Sequence, residues 1–306
     1  MYDTHDVITD ARAVTPECVT FVALTFTLSW LLWGAAARIL DWDLSSTSRW
    51  LAVSGPLYLL GVFAPAIVAL VLTAKTGGEP AVMSLLRRTL AWSVDRRWYV
   101  FAVSYFATTK AGVAILYRLT IGQWPAFSQE PWVVMLLAIP LSTPVQAGEE
   151  IGWRGYLLPR LSARVGLRAA SIIVGIIWGC WHLPFFLLAG TDKSGQSFPA
   201  YVLGTTAISV AMAWVYWRTR GSLLLTMLMH AAVNNTNLVP APAPTAASPF
   251  SLHTSLVAWL TVALLWVGAT FFLIAMHDAG IGERASAYAK APARSRRSAS
   301  REDGRE

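Results

Sequence analysis

Apolar residues occur in long runs separated by short polar segments, unlike the strict alternation of a half-buried strand. Each run is roughly 18–25 residues long, about what a helix needs to cross a ~30 Å hydrocarbon core. The runs predict eight membrane spans, at residues 18–40, 50–74, 98–117, 132–150, 169–189, 200–217, 221–239 and 254–276. Prolines inside the second and fourth runs predict kinks there. The pattern therefore predicts an all-α, polytopic transmembrane helix bundle.

The composition supports a membrane class. The chain has 306 residues, of which 55% are hydrophobic and only 13% are charged, and its mean hydropathy is +0.50. Soluble domains usually carry about a quarter charged residues. Both cysteines, Cys18 and Cys180, lie in apolar runs, so no disulfide framework is predicted. The acidic N-terminus lacks the basic region of a secretory signal, which favours a retained first span.

Lysine and arginine fall mainly on one side of the predicted spans. If the N-terminus is cytoplasmic, 19 of the 24 basic residues lie in cytoplasmic segments and four lie in outer segments. This asymmetry is what the positive-inside rule expects, and it predicts a bundle with both termini in the cytoplasm. The net charge of +7 is thereby explained by membrane orientation, and no nucleic-acid partner is predicted.

The same pattern predicts one transmembrane domain at 18–276, preceded by a cytoplasmic N-terminus at 1–17. Residues 277–306 are rich in Arg, Ser and Ala and predict a disordered basic cytoplasmic tail. Residues 79–97 mix apolar and basic side chains, which fits either an amphipathic helix at the inner interface or a basic loop. Arg outnumbers Lys by 20 to 4, which indicates a GC-rich prokaryote and a plasma-membrane location.

Two adjacent glutamates, Glu149 and Glu150, follow the fourth run. Ionisable groups inside a bilayer are costly, which makes them functional candidates. Neighbouring residues on a helix point about 100° apart, so the two carboxylates are expected to do different work. Glu150 and Arg154 have the i, i+4 spacing of a helical ion pair. Glu149 is then free to act on a water or a substrate as a general base.

Two histidines and an asparagine are predicted at overlapping depth on other helices. His182 lies in the fifth run, and His230 and Asn234 share one face of the seventh. A histidine can relay a proton, and an amide can donate to a developing oxyanion. Residue counts from the predicted inner ends place the site toward the cytoplasmic half of the membrane. Lys110, in the third run, is expected to pair with Glu149 or Glu150, or to snorkel along its stem.

These residues resemble the CPBP family, which includes type II CAAX prenyl proteases and bacteriocin-processing or immunity proteins. The family motifs EExxxR, FxxxH and HxxxN correspond to Glu149-Glu150-Ile-Gly-Trp-Arg154, to Trp178 ahead of His182, and to His230-Ala-Ala-Val-Asn234. Trp178 departs from the usual Phe but keeps an aromatic wall. The family-like core is predicted at about 132–239; the first three spans match only in being hydrophobic.

The resemblance implies an intramembrane endopeptidase that acts on a membrane-associated or lipidated substrate. It implies that Glu149 activates a water with His182, that His230 and Asn234 stabilise the oxyanion, and that Glu150 and Arg154 orient the site. No cofactor is required on this interpretation. A divalent metal such as zinc stays open as an alternative, and it would need ligands from three helices. The substrate's identity and the oligomeric state are not predicted.

Two other function classes are compatible with the sequence. A proton-coupled transporter also uses buried carboxylates and histidines, but it predicts inverted repeats, whereas the polar residues here cluster in the second half only. A non-catalytic membrane scaffold or bacteriocin-immunity factor would keep the fold and need no chemistry.

Overall fold

The computed structural model describes residues 14–40, 54–188, 190–241 and 248–276, and these residues form a helix bundle without a strand. The α-helices in these ranges are α1 (Val14–Ile39), α2 (Gly55–Arg87), α3 (Arg96–Ile121), α4 (Trp132–Ser142), α5 (Ala147–Glu150), α6 (Leu158–Trp181), α7 (Leu183–Leu187), α8 (Phe198–Arg218), α9 (Leu223–Asn235) and α10 (Leu256–Ala275). Arg88–Leu90 and Thr143–Gln146 are 3₁₀-helices, and Ile151–Leu157 is a π-helix. The predicted all-α class is confirmed. The predicted tail at 277–306 and most of the predicted N-terminal segment lie outside the described residues.

The protein is an integral membrane protein. In the part of the chain that the structure describes, six helical stretches are long and apolar enough to cross a membrane. They are Pro16–Ile39, Gly55–Leu90, Arg96–Ile121, Trp132–Leu187, Phe198–Arg218 and Leu256–Ala275. The prediction gave eight spans. The difference arises at two places, the long stretch Trp132–Leu187 and the short helix α9.

The stretch Trp132–Leu187 contains two of the predicted spans, because it folds back on itself. The indole Nε1 of Trp178 donates a hydrogen bond to Glu149 Oε2 at 2.6 Å. In one straight helix these residues would be about 43 Å apart at 1.5 Å per residue. The reversal lies near Gly166, whose φ of 79° and ψ of 159° break the helix. The predicted fourth and fifth spans are therefore antiparallel neighbours.

The predicted seventh span is a helix of only 13 residues, α9, which is too short to cross a bilayer by itself. Its flanks nevertheless reach both ends of α3. Ser222 Oγ donates to the Ala91 carbonyl at 2.7 Å, and the Leu238 carbonyl accepts from the Ser128 amide at 3.0 Å. A non-helical segment after Asn235 covers the remaining distance, since it rises more per residue than a helix.

Lys110 holds this non-helical segment in place. Its Nζ donates to the Val239 carbonyl at 3.1 Å, lies 3.5 Å from Thr261 Oγ1, and stands 5.5 Å from the Phe106 ring centre. The predicted pairing with Glu149 or Glu150 is wrong. The ammonium instead satisfies a carbonyl that α9, having ended early, leaves without a helical partner.

Two ends of the bundle can be distinguished. The basic end is marked by Arg88, which donates to the Gly221 carbonyl at 3.0 Å, and by Arg160, whose Nε lies 3.1 Å from Glu17 Oε2. The distal end, at the other tips of the helices, includes Ser128 and the loop before α8. Of the lysines and arginines predicted to be cytoplasmic, most of those that the structure describes lie near the basic end, in helix ends and short connections.

Proline and glycine shape the helices differently from the prediction. Pro65 stays inside α2, and the break in that helix occurs at Gly78, with φ 64° and ψ −165°. After Gly78 the chain is helical to Leu90, and residues 91–95 are not helical, so the 79–97 segment combines both predicted forms. Pro144 opens the 3₁₀-helix after α4, so the predicted irregularity there is present as a change of helix type.

Candidate active site

The glutamate pair sits where the helix changes type twice. The chain passes from the 3₁₀-helix Thr143–Gln146 through the single α-helical turn α5 into the π-helix Ile151–Leu157. Such π-helical turns are rare and occur frequently at functional sites. Gly152 lets this region lie directly against α2, because a Cβ there would be 2.6 Å from Pro65 Cβ. The close contact fixes the height and rotation of the carboxylates.

Glu150 is the centre of a buried ionic network. Its Oε1 accepts a hydrogen bond from Arg154 Nη1 at 2.8 Å and another from His230 Nδ1 at 2.9 Å. Glu150 and Arg154 are both 0% exposed. The Arg154 guanidinium also lies 4.4 Å from the centre of the Trp178 ring, at a cation–π distance. The ion pair suggested by the i, i+4 spacing is present, and the contact with His230 joins it to a second helix.

Glu149 occupies a different environment from its neighbour. It keeps 6% of its surface exposed, and it lines an internal cavity to which Glu150 does not contribute. One carboxylate oxygen accepts the 2.6 Å hydrogen bond from Trp178. That bond orients the group and neutralises part of its charge in an apolar setting. The two adjacent carboxylates therefore have separate surroundings, as the helix geometry predicts.

His182 is held by its own helix end. Pro184 has no amide hydrogen, so α6 cannot continue, and the His182 amide bonds to the Gly179 carbonyl. The Trp178 carbonyl is thereby free to accept from His182 Nδ1, at 2.8 Å. A carbonyl can only accept, so Nδ1 must carry the hydrogen, and the neutral ring keeps Nε2 as a free acceptor. His182 lines the same cavity as Glu149.

His230, like His182, is held in place by a hydrogen bond from its Nδ1. Its Nδ1 donates to Glu150, and its ring lies 5.0 Å from the Trp178 ring in an edge-on arrangement. Asn234, one turn later, also lines the cavity. Asn234 is exposed, and its Nδ2 lies 3.4 Å from Gln146 Oε1. All of the sequence-predicted residues thus lie at or directly behind one cavity.

The cavity has a volume of about 320 Å³ and mixed walls. Its apolar lining comes from Tyr58, Val62, Trp178, Trp181, Phe185, Ile208 and Val233. Sequence reasoning missed Tyr201, whose ring lies 5.3 Å from the His182 ring, and the loop residues Asp192 and Lys193 at the mouth. No spacing in the sequence relates these residues to the motifs, because they come from α8 and from the loop before it.

The cavity opens toward the distal end of the bundle. Tyr58 lies near the start of α2, Tyr201 lies near the start of α8, and Lys193 belongs to a distal loop. If the basic end is cytoplasmic, this opening lies on the outer side, whereas the sequence predicts a site toward the cytoplasmic half. The depth of the site was counted as though α9 were a full-length span, whereas His230 is only five residues from its distal end.

The donors for a metal ion are not gathered here. Within the described ranges, no three His, Cys, Asp or Glu side chains are close enough to hold one. Trp178 contacts the rings of both His182 and His230, and it also holds Glu149. The residues predicted as alternative zinc ligands do not fit a zinc centre in this arrangement, and we derive no step through a metal.

Comparison with known proteins matches this part of the chain to one family. The profile described as type II CAAX prenyl endopeptidase Rce1-like matches residues 129–236, which include every residue of the three motifs. The CAAX prenyl protease 2 of Methanococcus maripaludis is 24% identical over 225 residues, which cover 69% of this chain and 80% of that relative. The predicted resemblance to the CPBP family is confirmed for residues 129–236. The chain is an intramembrane protease. The matched region contains the glutamate pair and all the residues that line the cavity except Tyr58 and Val62 of α2.

Trp178 offers a test within the CPBP core, because Phe is the residue that the family motif usually has there. Trp178→Phe should keep the aromatic contact with Arg154 and remove the hydrogen bond to Glu149. A hydrogen bond to a charged group contributes about 1.5–3 kcal/mol, so we expect kcat/KM for peptide cleavage to fall about tenfold or more.

Trp266→Phe is the matched control, since its indole donates to the Leu203 carbonyl away from the cavity. It should leave the rate unchanged. Equal rates for Trp178→Phe and wild type would show that the indole does not support Glu149 in the reaction.

Proposed function

We propose that the protein is an endopeptidase that hydrolyses a peptide bond of a membrane-associated substrate, with Glu149 as the base that activates water. The observation that carries this proposal is the division between the adjacent carboxylates. Glu149 faces a cavity, whereas Glu150 is fully buried behind it in an ionic network. A carboxylate in a cavity with mixed walls, which also holds a histidine with Nε2 as a free acceptor, is suited to general base catalysis.

In the proposed reaction, Glu149 takes a proton from a water molecule, and the oxygen of that water attacks the scissile carbonyl carbon. A C–O bond forms, and the carbonyl oxygen becomes an oxyanion. The proton then passes to the amide nitrogen and the C–N bond breaks. The new carboxyl group gives its proton to the amine, and a carboxylate and an ammonium leave. His182 lines the same cavity, and its Nε2 can accept or return a proton during these steps. The water supplies all the atoms that are added, and no redox partner is needed.

His230 and Asn234 are proposed to stabilise the oxyanion. Because His230 Nδ1 is bonded to Glu150, only Nε2 remains for the substrate. Donation from Nε2 requires the imidazolium form, and the Glu150 carboxylate stabilises that form when it arises. Asn234 provides a neutral amide donor at the cavity wall. Glu150 and Arg154 are proposed to act as positioning residues that do not touch the substrate.

The substrate is proposed to be an apolar peptide segment in the bilayer. The aromatic and aliphatic walls of the cavity suit apolar side chains and exclude bulk water from the carboxylate. The relatives are described as CAAX prenyl endopeptidases, so prenylated and unlipidated peptides of the same sequence are the two classes to compare.

Glu149→Gln should lower kcat by about 10²–10⁴-fold, the usual contribution of a general base, with little change in KM. The assay is cleavage of prenylated and unlipidated peptides by the purified protein in detergent. Glu130→Gln, an exposed carboxylate outside the cavity lining, should cleave at the wild-type rate. Cleavage unaffected by Glu149→Gln would overturn the mechanism.

Activity lost with a chelator and restored by zinc would contradict a metal-free reaction.

We further propose that the protein lies in a prokaryotic plasma membrane with its basic end in the cytoplasm. The helix ends and connections at the basic end hold most of the described lysines and arginines, and the positive-inside rule places such segments in the cytoplasm. On this orientation the cavity opens toward the outer face, whereas the sequence predicts a site in the cytoplasmic half.

Cysteine labelling tests this orientation. In a Cys18→Ser/Cys180→Ser background, Ser194→Cys at the distal end should react with a membrane-impermeant maleimide on intact cells. Ala163→Cys at the basic end should react only after permeabilisation. Both positions are exposed in the structure. The reverse labelling pattern would place the cavity on the cytoplasmic side.

A further inference from the structure

Lys110 is a buried charged residue that the proposed reaction does not use. It lies in the middle of α3 and is 7% exposed. Ionisable groups at membrane depth are costly, which makes them candidates for a functional role. Among the described residues no carboxylate pairs with Lys110, and its partners are the Val239 carbonyl, Thr261 Oγ1 and the Phe106 ring. The ammonium therefore binds a backbone carbonyl where a counter-ion would be expected.

The Val239 carbonyl belongs to the segment that follows α9, and two donors hold this segment. Lys110 Nζ donates to the Val239 carbonyl at 3.1 Å. The Ser128 amide, from the loop after α3, donates to the preceding carbonyl, that of Leu238, at 3.0 Å. Val239 is 1% exposed and lies in an apolar cluster with Val257 of α10. Lys110 is the charged donor in this set, and charge-assisted hydrogen bonds are the stronger kind.

Asn234 is the last residue but one of α9 and lines the cavity. The last carbonyls of a helix have no partner within it, so helix ends fray unless other contacts hold them. Asn234 Nδ2 lies 3.4 Å from Gln146 Oε1, which is long for a hydrogen bond. This contact uses one hydrogen of Nδ2 and leaves the second for an oxyanion. The position of the amide therefore depends on what holds the chain beyond the helix.

Val239 follows Asn234 by five residues, so the Lys110 contact fixes the chain directly after the last turn of α9. We propose that Lys110 is a positioning residue for peptide hydrolysis, because it holds the end of α9 and thereby keeps the Asn234 amide at the cavity. A displacement of about 1 Å in a group that stabilises the transition state can cost about 100-fold in rate. Lys110 and Val239 both lie outside residues 129–236, so the matched family region contains neither partner. This inference rests on the proposed function.

The first test compares the kinetics of peptide cleavage by the purified protein in detergent. Lys110→Met keeps a long apolar stem but removes the donor, and it should lower kcat about tenfold to 100-fold while KM stays nearly unchanged. Lys110→Arg keeps a charged donor and should retain most of kcat. Lys110→Gln ends one atom short of the ammonium and gives a second loss variant, with the same expected result, where Lys110→Met does not yield folded protein.

Arg88→Met is the matched control. Arg88 also binds a backbone carbonyl next to α9, that of Gly221 at 3.0 Å, but at the end opposite Asn234. The substitution should lower the unfolding temperature, as Lys110→Met does, and leave kcat close to wild type. An equal fall in kcat for both variants would show that Lys110 has only a structural role.

A double-mutant cycle with Asn234→Ala tests the connection to the cavity. If Lys110 acts through the Asn234 amide, Lys110→Met should lower kcat in the wild-type background but not in the Asn234→Ala background. The same fold-loss in both backgrounds, or a wild-type kcat for Lys110→Met, would overturn the inference.

Hydrogen–deuterium exchange separates this inference from the proposed function, because it needs no cleavage. It is measured by mass spectrometry on the Glu149→Gln protein with and without Lys110→Met. Faster exchange confined to peptides that cover residues 229–241 supports the inference even if no peptide substrate is hydrolysed. Unchanged exchange there, or an increase throughout the bundle, contradicts it even if the proposed function holds.

Discussion

Glu150 accepts hydrogen bonds from Arg154 and His230 with a single carboxylate oxygen, inside a bundle where Glu150 and Arg154 are fully buried. Breaking a pair of this kind leaves an uncompensated charge in a medium of low polarity. The network therefore constrains the parts of the site that surround it. Arg154 lies against Trp178, Trp178 bonds to Glu149, and the Trp178 carbonyl holds His182. One buried ionic contact thus connects the three elements that supply the candidate chemistry.

This connection explains why adjacent glutamates can do unlike work. Glu150 accepts hydrogen bonds from Arg154 and His230 and does not line the cavity. Glu149 accepts one hydrogen bond, from Trp178, and lines the cavity. Both histidines are oriented through Nδ1, one by a backbone carbonyl and one by a carboxylate, and both line the cavity. Fixed groups of this kind need little reorganisation when a substrate arrives, which is the usual basis of electrostatic catalysis.

Hydropathy predicted the apolar segments and the helical class, because the bilayer requires every backbone group to be satisfied within a helix. The i, i+4 spacing predicted the contact of Glu150 with Arg154. Other features depend on tertiary contacts that one segment does not encode. The reversal at Gly166, the early end of α9 and the carbonyl bound by Lys110 became visible only in the folded chain. Tyr201 and Lys193 reach the cavity through loop and helix packing, and no sequence spacing marked them.

The division between the two glutamates is tested most directly by thermal unfolding of Glu149→Gln and Glu150→Gln, measured side by side in one detergent. Glu150→Gln should unfold at a clearly lower temperature, since it leaves the Arg154 guanidinium buried without a charged partner, at a cost of about 3–5 kcal/mol. Glu149→Gln should unfold close to wild type, because an amide oxygen can still accept the Trp178 hydrogen bond. Equal losses, or a greater loss for Glu149→Gln, would contradict the account.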